Sequence, residues 1–267
     1  MKKLLLKYIP LSLQKKWYHF KNPGTIDEVD IAFKLLANSD PHRTMFDVGA
    51  HVGNSLEPFA RKGWTVYAFE PDPTNRKGLT ELCRHYPNVV IEPVALSDYE
   101  DSEVPFFTST VSTGISSLLK FHETHEAVNK VQVTTLNTYC REKGVSHISF
   151  LKTDTEGYDL PVLRGVSWDN IKPRVIVSEF DNFKTKNLGY ELNDQVGLLQ
   201  SQDYKVLISE WHPIEEYGKV HRWNRFVADP SLVKGERVWG NVIAVMSKDW
   251  PMLLKIAKKY GKIVGTK

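Results

Sequence analysis

Within SFLKTDTEGYDL, residues 149–160, an apolar start runs into Lys152, Asp154 and Glu156 at alternate positions. Alternate side chains of an extended strand share a face, so one lysine and two carboxylates would stand together if the strand continues that far, with Leu151 and Thr153 opposite. Carboxylates so placed can orient a hydroxyl or take its proton. A neighbouring ammonium lowers a carboxyl pKa, so Lys152 predicts an ionised, oriented Asp154, with Glu156 as its rival. The plainer reading is a buried ion pair joining strand to loop, with Glu156 capping a helix at YDLPVL.

A second group of residues lies about a hundred positions earlier. FDVGAHVGNS places Gly49 and Gly53 four apart, after an apolar run and before a helical stretch whose first N–H groups would face whatever sits over the turn. A dinucleotide fingerprint would need glycine where His51 and Asn54 stand, which disfavours a pyrophosphate cradle and a nicotinamide-dependent oxidoreductase. FEPD then brings Glu70 about twenty residues beyond the turn, where an acid can accept both ribose hydroxyls. A ribose clamp without the phosphate glycines suits a nucleoside lacking phosphates, such as S-adenosylmethionine. Read structurally, Glu70 would instead cap a helix before Pro71.

These residues need a scaffold that brings strand ends together. TMFDVG, WTVYAFE, NVVIEPVAL, HISFLKTD and RVIVSEF are strand-like, and helical stretches such as NSLEPFARKG, TNRKGLTELCRHY and LNTYCREKG separate most of them. That rhythm predicts βαβ units around a parallel sheet, whose ligands bind beyond the carboxyl ends of the strands. Between residues 100 and 136 the pattern loosens into two strands flanking a polar loop. DYKVLISEWHPI and RVWGNVIAVMS read as late strands around an aromatic-rich excursion, and DWPMLLKIAKKYG as a terminal helix.

At 267 residues and 41% hydrophobic content, the chain can bury one large core. Cys83 and Cys140 are far apart without metal-ligand spacing, which argues against a disulfide framework or structural zinc and for a reducing, cytoplasmic setting. Lys7 cuts the N-terminal apolar run and no small-residue cleavage site follows, so neither a signal peptide nor a membrane span is expected. The net charge of +3 includes eleven lysines in residues 1–21 and 255–267, which leaves residues 22–254 at −8. An acidic body excludes a broad nucleic-acid groove, whereas the basic ends, with Trp17, Tyr18 and Phe20, could rest on an anionic membrane surface. A solvated, packed helix is the plainer reading of that lead-in.

FDVGAHVGNS, VYAFEPDP, VALSD and FLKTDTEGYDLPVLRG, in that order, resemble the FkbM-type family of S-adenosylmethionine-dependent methyltransferases over about residues 44–180. The last segment is the most specific. The resemblance implies an α/β class I methyltransferase fold, a seven-stranded, mostly parallel sheet with an antiparallel last strand, and O-methylation of a hydroxyl, often on a sugar or natural product. It places Asp47, Gly49 and Gly53 around the methionine part of the cofactor, Glu70 on the ribose, and Ser97 and Asp98 near the adenine. STGISSL resembles the family's Ser-rich loop, with Ser116 and Ser117 as pocket residues; the alternative is a helix N-cap for LLKFH. The domain reading is a helical extension over 1–40, a methyltransferase domain over 41–250 with an acceptor-side excursion at 181–240, and a C-terminal helix over 251–267.

Methyl transfer to an alcohol requires an aligned oxygen, methyl and sulfur, and a destination for one proton. Alignment can supply roughly 7–11 kcal/mol and a base about 10²–10⁴-fold. The catalytic residues expected are Asp154, Glu156 and Lys152; Ser116, Glu179 and His212 are expected on the acceptor. Among His51, His122, His125, His212 and His221, His212 ranks first because it lies on the excursion, where Trp211, Tyr217 and Trp223 could stack on a sugar ring. No metal is assigned, although Asp181 and Asn182 could complete a magnesium site. The expectation is a glycan or small-molecule acceptor and no nucleic-acid partner. A non-sugar natural product and a non-catalytic nucleoside-binding module are the alternatives, and the oligomeric state is not legible.

Overall fold

The protein is described by a computed structural model over residues 21–22, 24–216 and 219–266. The basic N-terminal segment and Tyr217, named above, lie outside the described residues.

Helix α1 (Glu28–Leu36) begins where the Asp27 side chain accepts the N–H groups of Val29 and Asp30. The alternation then unfolds as β1 (Thr44–Val48), α2 (Glu57–Ala60), β2 (Thr65–Phe69), α3 (Pro73–Cys83) and β3 (Val89–Glu92). Strands β4 (Ala95–Ser97), β5 (Asp101–Ser109) and β6 (His125–Thr135) form a separate small sheet in the order β4-β6-β5. The main sheet resumes through α4 (Leu136–Lys143), β7 (Phe150–Thr153), α5 (Asp159–Arg164) and β8 (Val175–Asp181). There follow α6 (Asn182–Thr185), α7 (Leu192–Ser201), β9 (Tyr204–Trp211), β10 (Trp223–Val227), β11 (Trp239–Met246), α8 (Trp250–Ala257) and β12 (Ile263–Val264).

The main sheet has nine strands in the order β12-β10-β9-β11-β8-β7-β1-β2-β3. Neighbours from β8 to β3 are parallel, and β11 runs antiparallel to both β8 and β9. Seven strands were expected; β10 extends the edge because the excursion returns to pair with β9, and β12, in the stretch 251–267 expected to be wholly a C-terminal helix, pairs with β10 after the helix ends at Ala257. Successive residues feed opposite faces: Met45, Phe150 and Val175 pack on one side, Phe46, Leu151 and Ile176 on the other. Both faces are covered by helices, so these strands read as unbroken apolar runs rather than as polar and apolar alternation.

The segment 88–96, read as one strand, is two. Pro93 cannot donate to a ladder, and the chain leaves the main sheet there to pair Ala95–Ser97 with β6. Chain order reverses between β1 and β7, which places the crevice over Val48–Gly49 and Thr153–Asp154. Among the described residues, no helix is long and apolar enough to cross a membrane.

Candidate active site

Gly49 follows β1 with φ +77°, and a Cβ built on it would lie 1.9 Å from the Asp154 carbonyl oxygen. Asp154 in turn donates its N–H to Val48 O at 3.0 Å. The glycine turn and the acidic loop after β7 are therefore in backbone contact, and only a residue without Cβ permits it. Gly53 is packed differently, with Leu79 and Leu82 of α3 where its Cβ would be.

Glu70 directly follows β2 and is almost fully buried, and each of its oxygens is held by one backbone donor: His51 N at 2.7 Å on Oε2 and Asp72 N at 2.8 Å on Oε1. Each oxygen keeps acceptor capacity for a diol. Burial pushes its carboxyl up to about 7, against the pull of those two N–H groups. A carboxyl raised this way holds its proton in the folded chain between its ordinary pKa and about 7, where the unfolded chain has released it, so stability falls as pH rises through that window. The shift corresponds to roughly 3 kcal/mol. Glu70→Gln is expected to remove about that much of the loss between pH 5 and 7.5, measured by urea unfolding of the ligand-free protein; an unchanged pH dependence would refute the assignment.

Lys152 is buried beneath the turn, 3.1 Å from Asp47 Oδ1 and 3.5 Å from Asp154 Oδ2, and donates to Gly49 O at 3.3 Å. Burial opposes its charge, but Asp47 and then Asp154 outweigh that and raise its pKa. Asp154, 43% exposed at its side chain, stands at the mouth of a cavity whose empty space, including the part open to solvent, is about 530 Å³. Gly49, His51, Glu70, Asn75, Ser116 and Glu156 share that wall, and Val94, Ala95, Leu96 and Phe106 give it an apolar end.

A strap crosses the cavity at the 3₁₀ turn Thr113–Ile115. Thr113 is held by the His51 ring at 3.0 Å and, through its carbonyl, by Asn75 Nδ2 at 3.1 Å. Ser116 donates to Asp72 Oδ2 at 3.0 Å, and Ser117 to the carbonyls of Thr155 and Glu156 at 2.9 and 3.1 Å. No helix follows at LLKFH, so the capping alternative fails; Ser117 instead ties the strap to the acidic loop.

Strand β7 ends at Thr153, and Glu156 sits at φ +58°, so the parity that would align it with Lys152 does not extend that far. Its carboxylate turns to Lys184 Nζ, 2.5 Å away. Burial pushes Glu156 up to about 7, partly offset by Lys184. Lys184 also lies 3.5 Å from both Glu179 and Asp181, and burial raises the Glu179 carboxyl well above its ordinary range. Oxygens of Asp154, Glu156 and Glu179 fall within 4.8 Å of one another, a set that could surround a metal ion. Beyond Lys184 opens a groove of about 840 Å³, lined by Asp181, Phe183, Glu215, Glu216, Arg237 and Trp239 among others; Phe183 is 60% exposed.

A family model described as the methyltransferase FkbM domain matches residues 47–206. The chain belongs to this family. No curated protein matches it by sequence. Solved structures similar to this FkbM-domain protein include precorrin-6y C5,15-methyltransferase from Geobacter metallireducens, at 12% identity and TM-score 0.43 over 81% of this chain and 86% of that one. An rRNA methylase from Streptococcus thermophilus is 11% identical at TM-score 0.44, over 82% and 95%. Magnesium protoporphyrin IX methyltransferase from Synechocystis, solved with bound S-adenosylmethionine, is 11% identical at TM-score 0.41, over 92% and 97%.

Of the residues expected in the FkbM-domain site, Gly49, Glu70, Ser116, Asp154 and Glu156 line the first cavity, and Lys152 and Asp47 lie beneath it as an ion pair. Ser97 and Asp98 do not line it, because the break at Pro93 brings Val94–Leu96 past the pocket instead. Glu179 does not line the cavity but lies behind it, beside Lys184 and with an oxygen within 4.8 Å of those of Asp154 and Glu156. His212 is exposed and lines neither space; its backbone bonds to Arg222 O and Trp239 Nε1. Trp211 donates to Glu28 and Trp223 to Ser209, so both serve the packing of α1 and β9. Lys184 and Trp239 were missed; the visible signal was a lysine three residues after Asp181, at the end of a fully buried strand.

Proposed function

We propose that the protein is a class I methyltransferase that transfers the methyl group of S-adenosylmethionine to a hydroxyl of a saccharide or glycoconjugate. The observation that carries this reading is the contact between Gly49 and Asp154, which sets an acid at the mouth of the cavity that Glu70 also lines. The residues fit the donor: Glu70 offers two acceptor oxygens for a ribose diol, and Val94–Leu96 and Phe106 an apolar wall for a base.

When bound, S-adenosylmethionine supplies a methyl group on a positively charged sulfur. Transfer would join the acceptor oxygen to that methyl carbon and leave the sulfur, with the carbon–sulfur electron pair, as a neutral thioether, so the chain's own residues would have to align the acceptor oxygen and take up one proton. Asp154, steadied by Lys152, accepts a hydrogen bond from the hydroxyl and aims its lone pair at the carbon. The proton passes to Asp154 or to Glu156, whose pKa of about 7 suits an acceptor near neutral pH. The open groove supports the saccharide assignment: Phe183 and Trp239 offer faces for sugar C–H groups, and Glu215 and Glu216 offer hydroxyl acceptors.

Labelled S-adenosylmethionine incubated with free sugars, nucleotide sugars, lipid-linked glycans and non-sugar alcohols tests the acceptor class, with label expected on a sugar oxygen. Calorimetry should give S-adenosylhomocysteine a Kd on the order of micromolar. No binding of it, or tight NAD binding in its place, would overturn the donor assignment.

A further inference from the structure

The four-residue helix α6 delivers Lys184 into the acidic cluster, where its side chain is only 1% exposed. Asp181 fixes the start of that helix by accepting the N–H groups of Phe183 and Lys184. The ammonium then stands among Glu156, Glu179 and Asp181, with the Phe121 ring centre 5.4 Å away. An isolated ammonium at this depth would be strongly disfavoured, and so would carboxylates gathered without a cation. Glu156 and Glu179, two of the three acids whose oxygens converge within 4.8 Å, are the ones Lys184 contacts.

We propose that Lys184 is the resident cation of this site, occupying the position and supplying the charge that a divalent ion would otherwise bring to Asp154, Glu156 and Glu179. An ammonium has three donors and a compact charge, enough to hold Glu156 and Glu179 in place without dissociating as an ion would. Lys184 is thus a positioning residue, acting on the acceptor through Glu156, and methyl transfer proceeds without a divalent metal. The activity part rests on the methyltransferase reading; the cation part does not.

Two variants of the full chain, Lys184→Met and Lys184→Gln, separate the two parts. With Mn²⁺ as probe, followed by the electron paramagnetic resonance of the free ion, wild type should take up none at millimolar concentration. Each folded variant should bind one ion in that concentration range, and adding Glu156→Gln should abolish that binding. In methyl-transfer assays wild type should be indifferent to a chelator. The variants should lose about 100-fold in kcat and regain part of it with Mg²⁺ or Mn²⁺. A folded variant that keeps S-adenosylhomocysteine binding but gains no Mn²⁺ site overturns the proposal. So does a wild-type Mn²⁺ site that Glu156→Gln removes, a test that needs neither lysine variant to fold.

Discussion

Gly49→Ala is expected to abolish cofactor binding and methyl transfer together. The new methyl would sit 1.9 Å from the Asp154 carbonyl oxygen, far inside contact distance, and the obstacle is backbone rather than a side chain that could swing away. The φ of +77° adds about 1–2 kcal/mol for any residue with a Cβ. Relief requires β1 and β7 to separate at their tips, which displaces Asp154 and the turn facing Glu70. Destabilisation of roughly 3 kcal/mol or more should follow, with S-adenosylhomocysteine affinity down at least 100-fold by calorimetry. Gly63→Ala is the control: it has a similar φ of +75° but nothing within 4 Å of its Cβ, so it should show the conformational cost alone and keep full affinity. Equal behaviour of the two variants would mean that the contact with Asp154 is unimportant.

Asp154→Asn is expected to leave donor binding within about threefold while lowering kcat by roughly 10²–10⁴. The amide keeps the shape but loses the charge that Lys152 stabilises and the ability to take a proton. Lys152 keeps its pairing with Asp47, so the fold beneath the site should survive, and thermal unfolding should shift by only a few degrees. Retained turnover with intact donor binding would transfer the proton-accepting role to Glu156. Measuring kcat against pH separates the cases, since Glu156, raised to about 7, would leave an inflection near neutrality.

The residues proposed to hold the donor were brought together as expected because their spacing is local in sequence. A glycine turn and an acid about twenty residues on are fixed by one βαβ unit, so Gly49 and Glu70 fall where spacing puts them. The resemblance set Asp47 and Gly53 beside Gly49; in the fold Asp47 pairs with Lys152 and Gly53 packs against Leu79 and Leu82. Alternation placed Lys152 and Asp154 together but failed at Glu156, where the strand has already ended and the backbone turns left-handed. The acceptor side was least legible. Lys184 looks like a surface lysine on a short helix, and only the fold brings it to Glu156, 28 residues earlier.

The cavity and the groove share no lining residue among those described. Most of the groove, from Ile214 to Trp239, also lies beyond residue 206, where the shared family region ends. Such a division lets a lineage or a protein engineer redraw the segments flanking β10, between β9 and β11, to seek new acceptors while leaving Glu70 and Gly49 untouched. Libraries confined to Phe183, Glu215, Glu216, Arg237 and Trp239 are where a change of specificity should be sought first.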